Sequence, residues 1–228
     1  MKIITLENGR KLNIDKKETY RYLGYHFGGE IPLDAELEKM VDELTVKLKE
    51  NITPRCAYEL YRLETDTDTC LLFTFDQAFE LKDSVKPQRP VLSIQSKKLS
   101  AHISGCRYAV LTAATIGPGA DMMIRRFSGR STIKPAILQA AGAAAIEAFA
   151  DEATEQIRQD LSNCLYDHSE ARALQLKMRF SPGYGDFSLE HQKDFFELLK
   201  LEKTLGMSLN TALLMSPSKS ITAIIGIK

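Results

Sequence analysis

The chain has 228 residues, of which 44% are hydrophobic and 26% are charged, a composition typical of a folded globular protein. Thirty basic residues balance thirty acidic ones, so the net charge is zero. This balance argues against a nucleic-acid-binding protein or one that binds anionic membranes, because both need a positive field. Small molecules and other proteins remain as expected partners.

The sequence contains no segment that predicts export or membrane insertion. The N-terminal residues MKIITLENGRKL lack an apolar stretch of signal-peptide length. The longest apolar run, residues 136–150, is shorter than the roughly 20 residues needed to span a bilayer, and it contains Gln139 and Glu147. We therefore expect a buried helix there. Four scattered cysteines without a CxxC pair indicate reduced thiols, and together these features predict a cytoplasmic protein.

Residues 1–90 are predicted to form an α+β region that packs into the same unit as the rest of the chain. Short apolar runs alternate with turn residues over the first 30 positions. The predicted elements that follow are a helix over residues 33–49 and strands over residues 56–63 and 69–75. Residues 83–90 contain two prolines and are the best linker candidate.

Residues 91–228 are predicted to form the core that carries the functional site. In chain order, the pattern predicts helices over 93–99, 120–127, 133–164 and 188–203, and strands over 108–116, 174–180 and, on either side of Pro217, within 211–227. Helices and strands are mixed without a strict βαβ rhythm. The sequence therefore predicts an α+β fold with a mainly antiparallel, twisted sheet flanked by helices.

Several common catalytic motifs are absent from the sequence. There is no GxGxxG, no Walker-type loop and no GxSxG, and the histidines are isolated from one another and from the cysteines. No metal-ligand spacing occurs, so we expect no protein-bound metal. Glu147, Asp151 and Glu155 lie at i, i+4 and i+8 of a predicted helix, and their spacing alone indicates a solvated acidic face.

The segment RFSPGYG, residues 179–185, is the most distinctive in the chain. It places Arg179 at the end of a predicted strand, before a Pro-Gly turn that presents Tyr184. Arginine can bind a carboxylate through two parallel hydrogen bonds, and glycine on both sides of Tyr184 allows a ligand to approach the backbone. The same residues are equally compatible with a tight structural turn that carries a surface arginine.

RFSPGYG resembles the Arg-x-x-x-Gly-Tyr signature of the activation domain of cobalamin-dependent methionine synthase. Other segments agree with that family in order and spacing, over roughly residues 95–228. They are LSAHISGCRYAVLTAATIG at 99–117, which ends in Thr-x-Gly, IEAFAD at 146–151, which is similar to an acidic helix, and PSKSIT at 217–222, which resembles a closing Pro-x-x-Ser-x-Ser. RYLGY at 21–25 is similar to short stand-alone members of the family.

The resemblance implies a repair function. In this family the activation domain binds S-adenosylmethionine over the corrin and donates its methyl group to inactive cob(II)alamin, while a flavodoxin-type partner supplies one electron. The resemblance implies that Arg179 holds the methionyl carboxylate and that main-chain groups of Ser181, Pro182, Gly183 and Tyr184 hold the ligand. Tyr184 would lie near the methyl-transfer site as the catalytic candidate. Glu147 would lie near the ligand or the corrin.

The resemblance also implies which partners the protein has. A chain of 228 residues that resembles only this domain has no room for homocysteine, folate or cobalamin modules. We therefore expect a stand-alone component of methionine synthase, a methyltransferase, whose client chain carries the cobalamin and lacks an activation domain of its own. A different corrinoid methyltransferase as client, or a relative that docks without binding a ligand, remain the alternatives.

Overall fold

The computed structural model describes residues 1–6, 9–25, 34–74, 90–165 and 174–228. The predicted linker at 83–90 therefore lies outside the described residues, apart from Pro90. The strands are β1 (Lys2–Thr5), β2 (Arg55–Thr65), β3 (Thr69–Phe73), β4 (Leu92–Gln95), β5 (Tyr108–Thr115), β6 (Ser208–Leu209), β7 (Met215–Ser216) and β8 (Ser220–Ile227). The α-helices are α1 (Lys16–Tyr22), α2 (Ala35–Asn51), α3 (Lys97–His102), α4 (Gly119–Phe127), α5 (Ile133–Leu165), α6 (Gln192–Leu198) and α7 (Leu201–Thr204).

The main sheet is antiparallel throughout, with the strand order β4-β3-β2-β5-β8 and β1 paired with β2. Its central pair, β2 and β5, runs in register from Arg55 opposite Thr115 to Arg62 opposite Tyr108. Strands from residues 1–90 and from residues 91–228 therefore lie in one sheet. The predicted fold class, α+β with a mainly antiparallel sheet flanked by helices, is confirmed.

Helices cover both faces of this sheet because β5 is apolar on both faces. Val110 and Ala114 belong to the core that β5 shares with α2, α4 and α5, whereas Ala109, Leu111 and Ala113 belong to the core that contains α6 and α7. The strand alternates between the two cores with the two-residue period of an extended chain. Two hydrophobic cores are therefore built on one central strand.

Helix α5 is the longest element of the larger hydrophobic core. Its alanine-rich first half has small side chains, so α1, α2 and α4 pack closely against it. Alanine is also the strongest helix former, so local propensity and packing agree. Residues 133–162 are long and apolar enough to cross a membrane by length and composition. Much of that segment is buried inside the fold, where Phe149 is 1% exposed, as in a core helix.

Two of the sequence predictions were wrong in detail. The helix predicted for residues 93–99 is instead strand β4 followed by α3, because Leu92 and Ile94 are buried while Ser93 and Gln95 are exposed. The helix predicted for residues 188–203 is broken at Lys200, whose φ of 48° is left-handed. Leu199 and Leu201 are both fully buried, and residues two apart in a continuous helix cannot face the same core.

Candidate functional site

The segment that carries Arg179 runs along the outer edge of β8. Leu176 bridges to Ile227 and Phe180 to Ile224, both antiparallel, so the predicted strand is an extended segment with isolated bridges. Consecutive side chains of an extended chain point to opposite faces of the sheet. Arg179 accordingly reaches α5, while Phe180 packs in the core on the other face.

Arg179 is held against one face of α5 by three hydrogen bonds. Its Nη1 donates to Asp151 Oδ1 at 2.7 Å and to Thr154 Oγ1 at 3.2 Å, and its Nη2 donates to Glu147 Oε2 at 3.1 Å. These three partners are spaced i, i+4 and i+7, which places them on one helix face. Two members of the predicted acidic stripe thus bind Arg179, and the third, Glu155, pairs with an arginine of its own helix.

The contacts of Arg179 leave two N–H groups of its guanidinium without a partner among the described residues. A guanidinium has five N–H groups, and the bonds to α5 use three. The two without a partner among the described residues are Nε–H and one N–H of Nη2. Two N–H groups of one guanidinium can donate to a carboxylate. Arg179 can therefore remain bound to α5 while it binds an anion.

The two carboxylates beside Arg179 can each accept a further hydrogen bond from a ligand. Glu147 uses Oε2 and Asp151 uses Oδ1 for Arg179, and neither Oε1 of Glu147 nor Oδ2 of Asp151 has a hydrogen bond among the described residues. Two carboxylates and one guanidinium give a net charge of −1. Glu147 is half-exposed and Asp151 more so, at 48% and 74% of the side chain, so a ligand can reach both. The cluster suits a ligand that carries both a carboxylate and an amine.

The turn after Arg179 is tightly closed by its own main chain. The N–H of Gly183 donates to Phe187 O at 2.7 Å, and the N–H of Tyr184 donates to Ser181 O at 3.1 Å. Gly183 has a φ of 90°, a left-handed conformation that favours glycine. Pro182 is buried under the turn. The carbonyl of Tyr184 in turn accepts the N–H of Phe187 at 3.0 Å, so the Gly183 carbonyl is the main-chain group of these two residues that has no partner among the described residues.

Tyr184 projects from this turn into solvent. Its side chain is 71% exposed, its ring packs edge-on against Phe180 with a centroid distance of 5.9 Å, and its hydroxyl has no hydrogen bond among the described residues. Phe180 in turn lies 5.2 Å from the ring of His102. Met178, on the same segment, is 80% exposed. Tyr184 and Met178 therefore project into solvent, and the ring of Tyr184 packs against the ring of Phe180.

Asp186 anchors the other end of the turn, and sequence reasoning missed it. Its carboxylate accepts from Ser96 Oγ at 2.5 Å, from the Lys97 N–H at 2.9 Å and from the Lys98 N–H at 3.2 Å, at the start of α3. The bond from the Ser96 hydroxyl, followed by those from the two backbone N–H groups, lowers the pKa of Asp186. Ser96 before a helix was the only available signal, and its partner lies 90 residues away.

The closing motif at 217–222 supports the sheet and does not reach Arg179. Ser220 is 8% exposed, and its hydroxyl donates to Thr115 Oγ1 at 2.8 Å. Thr222 is 2% exposed. In the described part of the chain no cluster of ligating side chains could hold a metal ion. Burial raises the pKa of Cys56 and of Cys70 to about 11, so both thiols are protonated at neutral pH.

Comparison with known proteins identifies a family and solved structures with a similar fold. Residues 34–227 match the family model described as "Vitamin B12 dependent methionine synthase, activation domain". Among solved structures, the MetH reactivation domain bound to AdoHcy has a similar fold, with a TM-score of 0.66 and 18% identity. The match covers 99% of this chain and 77% of that one. No curated protein matches the chain.

Proposed function

Because the chain belongs to the family of vitamin B12-dependent methionine synthase activation domains, we propose that it binds S-adenosylmethionine and supports reductive methylation of cob(II)alamin. The cobalamin is carried by a separate methionine synthase chain that lacks an activation domain. S-adenosylmethionine supplies the methyl group and a flavodoxin-type partner supplies one electron. The chain then contributes to methionine biosynthesis in the cytoplasm as a component of this methyltransferase.

The two N–H groups of Arg179 without a partner among the described residues are the observation that carries this proposal. The methionyl end of S-adenosylmethionine has a carboxylate and an ammonium on one carbon atom. The carboxylate pairs with Nε–H and the remaining N–H of Nη2, and the ammonium lies within reach of Glu147 and Asp151. Because Arg179 is already fixed by its bonds to α5, little side-chain entropy is lost when the ligand binds.

Tyr184 and Met178 mark the side from which the partner approaches. Both are more than two-thirds exposed and flank Arg179 in the chain. Tyr184 lies near the methyl group that is transferred, and the two side chains offer an apolar surface to the corrin of the partner. The nucleophile belongs to the corrinoid, so the protein contributes mainly position, which accounts for a large part of the rate in such reactions.

Two measurements test the proposal. Titration calorimetry of the purified protein with S-adenosylmethionine should show one binding site. Addition of the protein to a cob(II)alamin-loaded synthase without an activation domain, with flavodoxin and S-adenosylmethionine, should produce methylcobalamin, followed by its absorbance. A reaction without the protein is the control.

The outcomes separate the proposal from its alternatives. No binding together with no methylation would contradict it. Methylation of another corrinoid methyltransferase, but not of methionine synthase, would retain the chemistry and change the client. Tight binding of free cobalamin to the isolated protein would contradict the assignment of the corrinoid to the partner.

A further inference from the structure

A surface cavity lies beside the alanine-rich half of α5. It has a volume of about 400 Å³ and lies between the end of α1, the residue Lys219 just before β8, and small side chains of α5. Tyr22 and Leu23 form its wall on the α1 side. Cavities of this size fall within the range of small-molecule sites. No residue of the Arg179 cluster lines it.

Among the described residues that line this cavity, Lys219 is the charged one. Its side chain is partly buried, and its Nζ has neither a hydrogen bond nor an ion pair with any residue in the described part of the chain. Burial lowers the pKa of Lys219, and the charge of Asp121 offsets this only in part. A partly desolvated amine without a hydrogen-bond partner is unfavourable, and an anion that accepts a hydrogen bond from Nζ would offset the cost of its desolvation.

Gly142 gives Lys219 its position over α5. A Cβ at residue 142 would lie 3.1 Å from Cε and 3.3 Å from Cγ of Lys219, closer than most contacts of a methyl group. Gly142 interrupts a run of alanines in the middle of a helix, where glycine is less favourable than alanine. The absence of a side chain at Gly142 therefore allows the methylene groups of Lys219 to pack against the helix.

We propose that this cavity binds a small monocarboxylate with an apolar body, whose carboxylate pairs with Nζ of Lys219. One amine matches one negative charge. The alanine side chains of α5 and the Tyr22 ring supply the apolar contact, and the amide of Gln139, which also lines the cavity, can donate a second hydrogen bond. Ala143 and Glu147 lie one helical turn apart, so the site is adjacent to the Arg179 cluster and distinct from it.

Calorimetric titration with benzoate, a monocarboxylate with an apolar ring, tests the proposal. The wild-type protein should bind benzoate, and Lys219→Met, which keeps the length and removes the charge, should weaken binding about tenfold. Gly142→Ala should also weaken it, because the new methyl group displaces the lysine stem. Lys47→Met, at an exposed lysine of α2, is the matched control and should bind benzoate like the wild type.

A second readout follows the amine itself. The pKa of Lys219, measured by NMR at its ε-methylene group, should lie below the ordinary lysine value and rise when benzoate is added, because a nearby anion favours the charged form. Benzoate bound only at Arg179 would leave this pKa unchanged.

Four results would overturn the inference. They are no benzoate binding by the wild type, undiminished binding by Lys219→Met, loss of binding in Arg179→Ala, and tighter binding of inorganic phosphate than of benzoate. The third would place the anion at the Arg179 cluster instead. None of the four depends on whether S-adenosylmethionine binds, so this inference and the proposed function fail separately.

Discussion

Arg179 and Tyr184 lie five positions apart in one segment, yet the side chain of Arg179 is mostly buried and that of Tyr184 is mostly exposed. The Arg179 side chain is 19% exposed and makes three hydrogen bonds to α5. Tyr184 is 71% exposed, and its hydroxyl has no hydrogen bond within the described residues. The fold therefore fixes the side chain of Arg179, the carboxylate-binding group of the proposed function, and leaves the side chain of Tyr184 accessible to a ligand or partner.

The contrast comes from where the segment is anchored. Before the turn, the extended chain along β8 directs Arg179 to the α5 side of the sheet. After the turn, Asp186 ties the chain to α3 on the other side. Tyr184 lies between these two anchors, so its backbone is fixed while its side chain is left free.

Arg179→Ala should have the largest effect, a decrease in S-adenosylmethionine affinity of about 10- to 100-fold. A charged, two-bond contact contributes about 1.5–3 kcal/mol, and alanine removes it. Titration calorimetry measures the change. Arg158→Ala is the matched control, since Arg158 lies on α5 but pairs with Glu155. Equal affinity of Arg179→Ala and wild type would remove the carboxylate-binding role of Arg179.

Asp151→Asn should decrease S-adenosylmethionine affinity by about three- to tenfold, because the amide cannot hold Nη1 of Arg179 with a charged bond. Methylthioadenosine, which lacks the amino acid part, should bind with unchanged affinity. The exposed neighbour Glu152 provides the control variant, Glu152→Gln. If both ligands lost affinity equally, Asp151 would act on the fold of the site and not through Arg179.

Asp186→Asn should lower the midpoint of thermal unfolding modestly at pH 7, because the turn loses its charged anchor on α3. The pKa of Asp186 is lowered in the folded protein, so its carboxylate stabilises the fold fully above the ordinary aspartate pKa of about 4. That contribution is lost as the pH falls through the lower, folded-state pKa. The difference in midpoint between variant and wild type should therefore narrow below about pH 4.

Thermal unfolding measured over a pH series tests this, with Glu190→Gln, at an exposed acid beyond the same turn, as the control. A difference between Asp186→Asn and wild type that grows as the pH falls would contradict the assigned anchor.

Tyr184→Phe should have the smallest effect on the isolated protein. The midpoint of unfolding should not change, and S-adenosylmethionine affinity should stay within about twofold, because the hydroxyl lost has no hydrogen bond in the described structure. Methyl transfer to the partner's cobalamin should fall by more than the affinity does. Equal losses in binding and transfer would make Tyr184 an ordinary ligand contact.

The sequence determined those features that depend on neighbours along the chain. The alanine run of α5, the apolar strand β5 and the RFSPGYG segment could all be identified because helical and strand periodicity, and the turn chemistry of proline and glycine, are local. The family resemblance rested on the same local segments. The prediction of a helix over residues 93–99 was wrong at its start. Strand β4 has only four residues, and a pattern of that length does not distinguish a strand from a helix.

Only the tertiary structure decided which groups meet. Asp151 lies 28 residues before Arg179, and Ser96 lies 90 residues before Asp186. Spacing shows that Glu147 and Asp151 share a helix face, but not whether solvent or an arginine lies opposite. The break at Lys200 likewise follows from the burial of both Leu199 and Leu201. Such contacts depend on how elements pack, and packing is a property of the whole chain.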